Sequence, residues 1–245
     1  MATRITPLRL EAFEQLPKHA RRCVYWEVDP STVGGDDHLS DPEFEKEAWL
    51  SMVMLEWGSC GQLAVDCRDE DQPGLTGEEP CHGYVFYAPP RSVPRVSRFP
   101  TGPVSPDAVL LTSLGVEPAH GSEDLPRTLI SAVVADLVRR GVRALEAFGR
   151  TAEASGLIDP ALAPDDVAPV LASLGDCSAE QCVLEADLLL DTGFVVVSPH
   201  PYFPRLRLEL EQGLGWKAGV EAALERLLES ARLEQPVGAG AVPCG

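Results

Sequence analysis

Between Ala108 and Phe148 the hydrophobic pattern changes period twice. Ala108 to Val116 is a nearly continuous apolar run, the signature of a strand buried on both faces. Glu117 to Asp124 interrupts it with the turn-forming residues Pro118, Gly121 and Ser122. From Leu125 to Arg140 the apolar positions fall at Leu125, Leu129, Ile130, Val133, Val134, Leu137 and Val138, a helical stripe that closes at Gly141. Val142 to Phe148 then predicts a second strand. Such a unit aims the helix's first N–H groups and positive dipole end at the space beyond the first strand, where an anionic phosphate is well accommodated.

The remaining pattern extends this to an α/β chain. Leu8, Leu10, Phe13 and Leu16 predict a short helix within Arg4 to Ala20, and Cys23 to Val28 reads as a first strand or its approach. Pro42 to Glu56 suits an amphipathic helix, with Phe44, Ala48, Trp49, Met52, Val53 and Leu55 as its apolar positions. Gly61 to Cys67 and Gly83 to Ala88 predict an antiparallel hairpin with a long polar tip. Pro89 to Pro106 is rich in proline and carries Arg91, Arg95 and Arg98, which suits a surface crossing. A short helix is expected over Asp165 to Ala172, and last strands over Val195 to Val197 and Leu206 to Leu210. Trp216 to Leu233 predicts an amphipathic helix that packs on the body or on a twin subunit. The expected division is a domain over 1–212, with 151–182 as an insertion or lid, then a helix over 213–234 and a loose tail over 235–245.

A length of 245 residues at 44% hydrophobic composition suffices for a full core. The formal charge of −18 disfavours nucleic acid and anionic membranes and favours cationic partners. Lacking an apolar leader or a membrane-length run, the chain is expected to be cytoplasmic. Seven cysteines without a Cys-x-x-Cys pair predict reduced thiols. Cys60, Cys67, Cys81 and His82 are brought near one another by the hairpin, but their spacing matches no tight zinc pattern; the thiols read as small buried hydrophobes and no metal is expected.

Val116, Pro118, Gly121 and the later pair Gly193-Phe194 stand where the GNAT (Gcn5-related N-acetyltransferase) superfamily carries Val-x-Pro, the glycines of its pyrophosphate turn, and a Gly-Phe after a short helix. Over roughly residues 5 to 210 the chain resembles that superfamily. Trp57-Gly58-Ser59-Cys60-Gly61 and Tyr87-Ala88-Pro89-Pro90 resemble its actinobacterial members. The resemblance implies a mixed twisted β-sheet with helices on both faces, acetyl-CoA as co-substrate, and acyl transfer to an amine-bearing acceptor. In that family the region of Pro89 to Pro106 borders the acceptor side. Two departures stand out. The turn His120-Gly121-Ser122-Glu123-Asp124 keeps one glycine and brings two acids, a degenerate form of the family's loop. Leu189 occupies the place, four residues before the Gly of Gly-Phe, where many members carry a tyrosine that protonates the thiolate.

By the resemblance, Leu114 and Val116 would meet the pantetheine arm through main chain, and His120, Gly121, Ser122, Glu123, Asp124, Leu125 and Arg127 would line the diphosphate. Glu146 and Glu56 are the carboxylates placed to act as general base, and either Tyr202, Tyr87 or water replaces the missing tyrosine as acid, or the chain does not catalyse by that route. The alternative keeps the fold without catalysis: a binding or regulatory module for a small molecule or protein. A homodimer through the C-terminal helix is a further expectation.

Overall fold

The computed structural model describes residues 3–29, 41–66, 81–118, 124–157, 160–174 and 177–210. The central unit has the predicted form: β4 (Ala108–Val116), α3 (Leu125–Arg139) and β5 (Ala144–Arg150). On one side of it lie β1 (Thr3–Pro7), β2 (Gly61–Asp66) and β3 (Cys81–Ala88). On the other lie β7 (Val195–Ser198) and β8 (Arg205–Glu209), while β6 is the two-residue strand Leu184–Glu185. The mixed sheet runs β1-β2-β3-β4-β5-β8-β7, with β6 paired to β5 off this path. The β4–β5 and β5–β6 pairs are parallel and the others antiparallel.

Period-two alternation in β3 sorts the core into two layers. Tyr84, Phe86 and Ala88 join one apolar cluster, while Val85 and Tyr87 join another. The first contains residues of α1 (Lys18–Arg22), α2 (Pro42–Glu56) and α4 (Ala168–Ala172), with Trp26, Phe99 and Phe148 stacked at its centre. The second contains the stripe Leu125, Leu129, Ile130, Val133 and Leu137 of α3 together with Leu189 of α6 (Ala186–Asp191). Helices therefore cover both faces, as a central parallel pair requires.

Three local expectations are corrected. Arg4 to Ala20 is an edge strand, a 3₁₀ turn over Leu10–Gln15 and the start of α1, because Pro7 and Pro17 break any continuous helix and Thr3–Pro7 pairs with β2. Cys23 to Val28 is a turn: the N–H groups of Glu27 and Val28 both return to the Val24 carbonyl, and Tyr25 and Trp26 are buried in the core. The helix expected from Asp165 is confined to Ala168–Ala172. Val167, Val170, Leu171 and Cys182 are buried in the first cluster, so this part of 151–182 is a layer of the core. The helix expected over 213–234 and the tail lie outside the described residues. No helix among the described residues is long and apolar enough to cross a membrane.

Candidate functional site

The β4–β5 register runs Ala108↔Ala144, Val109↔Leu145, Leu110↔Glu146, and stops. Beyond it the strands diverge, and β6 takes the edge that β5 presents, through Gly149↔Leu184 and Arg150↔Glu185. Gly149 permits this close approach: a Cβ there would lie 3.0 Å from the Cα of Ala186, where α6 begins. A cleft of about 160 Å³ remains in the splay, with Ser113 and Leu114 of β4 on one wall and Cys182 to Glu185 and Leu188 on the other. Arg150 lines it, bonded to Glu185 (2.7 Å) and Ser155 (3.1 Å). Its Nε is buried with no partner among the described residues.

Leu114 and Val116 lie half-buried on the diverging half of β4. Leu125, buried, opens α3, and exposed Asp124 is its N-cap residue but makes no side-chain capping bond. Arg127 in the first turn pairs with Asp191 at 2.8 Å, tying α3 to the end of α6. His120, Gly121, Ser122 and Glu123 lie outside the described residues.

The three acid–base candidates are not brought together. Glu146 is completely buried at the paired end of β5 and accepts from the Ser105 N–H, from Arg205, and from Arg207 at 3.0 Å. Burial raises its pKa, but the bonds from Ser105 and the two arginines outweigh that and hold it below the usual carboxylate value. Both oxygens are taken, so the carboxylate anchors Arg205 and Arg207. Glu56 is exposed at the C-terminus of α2. The adjoining Trp57 shares a hollow of about 560 Å³ with Ala108 at the start of β4, the end of that strand away from the splay. Tyr202 is half-buried, and its carbonyl accepts from the N–H of Thr151, directly after β5. Of the three, Tyr202 is nearest in the fold to the diverging end of the strands.

A second group of reactive side chains adjoins the cleft wall. His19 and Cys23, one turn apart on α1 and its C-cap, meet Cys182, with their donor atoms within 4.8 Å of one another. Cys177 Sγ lies 3.7 Å from Cys23 Sγ. The Cys23 thiol is drawn far below the ordinary cysteine range, first by Cys177 and then by Cys182. The spacings His-x₃-Cys and Cys-x₄-Cys were the sequence signal for this group; the hairpin thiols masked it. Cys60 and Cys81 are buried elsewhere, and desolvation pushes their pKa values up to about 12 and about 11.

No family model and no curated protein sequence matches the chain. Solved structures do resemble it. PaiA N-acetyltransferase from Thermoplasma acidophilum, in complex with coenzyme A, is 10% identical, with 85% of this chain and 99% of that chain covered and a TM-score of 0.44. A GNAT-superfamily phosphinothricin acetyltransferase from Sinorhizobium meliloti, in complex with acetyl-CoA, is 14% identical over 88% and 92%, with a TM-score of 0.45. The ribosomal-protein-S18-alanine N-acetyltransferase from Escherichia coli is 12% identical over 86% and 96%, with a TM-score of 0.39.

Proposed function

We propose that this chain is an acyl-CoA-dependent N-acyltransferase of the GNAT type, using acetyl-CoA and an amine-bearing acceptor. The observation that carries the reading is the splay itself: two parallel strands that stop pairing after Leu110↔Glu146, and a cleft in the gap lined by Arg150 among others. The cleft is smaller than the roughly 300–1,000 Å³ of a typical ligand pocket, so only an extended arm fits between the walls.

In this reading the main chain of Leu114 and Val116 takes the pantetheine arm, and the start of α3, with Asp124, Leu125 and Arg127, faces the diphosphate together with His120, Gly121, Ser122 and Glu123. The acceptor amine attacks the thioester carbonyl, the C–S bond breaks, an amide forms, and the departing thiolate takes up a proton. Tyr202 is our candidate for that acid. Glu146 acts by holding Arg205 and Arg207, and Glu56 stands at the end of β4 away from the splay, so the proton of the amine passes to solvent. The −18 charge favours a cationic acceptor such as a polyamine.

A second reading, a GNAT-fold binding module without turnover, is favoured by one observation: Leu189, where the resembling family carries its acid, is completely buried in the α3-side core. Thiol release from acetyl-CoA in the presence of a panel of primary amines and polyamines tests the enzyme. Amine-dependent release that falls at least tenfold in Tyr202→Phe supports transfer with Tyr202 as acid. Binding of acetyl-CoA without release for any amine supports the module.

A further inference from the structure

The structure gathers three thiols and an imidazole from distant parts of the sequence: the donor atoms of His19, Cys23 and Cys182 lie within 4.8 Å of one another, and Cys177 adjoins Cys23. His19 lies in α1 and Cys23 is its C-cap; Cys177 precedes α5 (Ala179–Cys182) and Cys182 ends it. The Sγ atoms of Cys23 and Cys182 are 3.5 Å apart and those of Cys23 and Cys177 are 3.7 Å apart. Zinc–sulfur bonds of about 2.3 Å at a tetrahedral angle put thiolate sulfurs about 3.8 Å apart. A disulfide needs about 2.05 Å, and one disulfide would leave the third thiol stranded beside it.

We propose that His19, Cys23, Cys177 and Cys182 bind one structural zinc ion. Four protein ligands close the sphere, and three thiolates with one imidazole suit zinc among common divalent ions. On binding, the thiols that still carry a proton release it to solvent, all three cysteines coordinate as thiolates, and His19 coordinates as the neutral ring. The support around the ligands is already built. The His19 ring also hydrogen-bonds the Gln181 backbone, the arrangement by which a carbonyl fixes the orientation of a ligating imidazole. Ser178 and Gln181 form a reciprocal capping box that sets the turn between Cys177 and Cys182. The Cys182 carbonyl accepts from the Trp26 indole at 2.8 Å, and the Cys23 carbonyl accepts from Lys46 at 3.1 Å.

The ion would clasp α1 to the segment that forms one wall of the splay, since Cys182 itself lines the cleft. Without it, α4 and α5 are helices of five and four residues, too short to hold that wall by helix formation alone. The metal is thus a fastening for the layer that β4 faces, and it takes no part in bond making.

Elemental analysis of the full chain, purified without chelators, tests the assignment. One zinc per chain is expected, lost in Cys23→Ser and Cys182→Ser and retained in the control Cys60→Ala. Because those serine variants could fail to fold, the wild-type chain stripped and reloaded with Co²⁺ gives a second readout: an intense near-ultraviolet thiolate band with visible bands of tetrahedral strength. His19→Cys should keep the metal and deepen the thiolate band. Metal-free wild-type protein that also develops no cobalt spectrum overturns the proposal. So does peptide mapping that recovers Cys23 joined to Cys182 or Cys177 by a disulfide in freshly isolated protein. Zinc content is independent of acetyl-CoA binding, so either reading can fail alone.

Discussion

The indole N–H of Trp26 donates to the main-chain oxygen of Cys182 at 2.8 Å, across 156 residues of sequence. Trp26 is also stacked on Phe99 with centroids 5.1 Å apart, so one residue joins the aromatic core to the wall of the splay. Trp26→Phe keeps a ring but strands a buried acceptor. The expected loss is about 2–4 kcal/mol, which lowers Tm by about 2–4 °C per kcal/mol. Chemical denaturation with an unchanged m-value measures it.

Gly149 lies where β5 meets the start of α6. An added methyl would sit 2.8 Å from Leu206 Cδ1 and 3.0 Å from the Ala186 Cα. Leucine can yield by rotation, but the Ala186 backbone must shift. Gly149→Ala is expected to cost about 1–3 kcal/mol and to weaken acetyl-CoA binding, because α6 and β6 form the cleft wall. Denaturant unfolding and calorimetry on the same variant read both effects.

Glu146 holds Arg205 and Arg207 from complete burial. Glu146→Gln leaves Arg205 without its carboxylate, while Arg207 keeps Asp107 and Glu209, and it is expected to destabilise by about 3–5 kcal/mol. The pH dependence follows from the lowered pKa. Between the native pKa and the unfolded value of about 4.3 the unfolded chain binds more protons, so stability rises with pH there. The contribution is complete above the unfolded value and disappears as pH falls through the native one. A stability profile from neutral pH into acid should lose this acid limb in Glu146→Gln.

Glu27 and Lys46 form an ion pair in the first core layer, with both side chains almost fully buried. Burial raises the Glu27 pKa against the opposing pull of Lys46. Lys46→Met should cost about 3–5 kcal/mol by leaving a lone buried carboxylate. In that variant Glu27 takes up a proton on folding, so stability falls as pH rises above about 4.3. Glu27→Gln combined with Lys46→Met should recover most of the loss, a non-additivity that a double-mutant cycle measures directly.

The fold was legible where the apolar period was long. Ala108–Val116 and Leu125–Arg139 match their predicted bounds to within a residue, because both elements are set by their own patterning. The N-terminal region was not. Thr3–Pro7 is a strand only because β2 pairs with it, and Tyr25 and Trp26 turn inward only because a core awaits them, neither of which is a local signal. At the site, sequence located Leu114, Val116 and Leu125 on the elements that border the splay. It could not foresee that Arg205 and Arg207 would close on Glu146, a pairing made between adjacent strands of distant sequence. His19, Cys23, Cys177 and Cys182 escaped for the same reason: their spacings are visible, but only the packing of α1 against α5 joins the two halves.

The most direct test of the central claim is calorimetric titration of acetyl-CoA into the full chain, alongside Leu188→Trp, which fills the cleft from the α6 side. Saturable binding with a Kd in the micromolar range, about −8 kcal/mol, weakened at least tenfold in a folded Leu188→Trp protein, is the expected result. No binding by the wild-type chain up to millimolar acetyl-CoA, or equal binding by both proteins, would contradict the account.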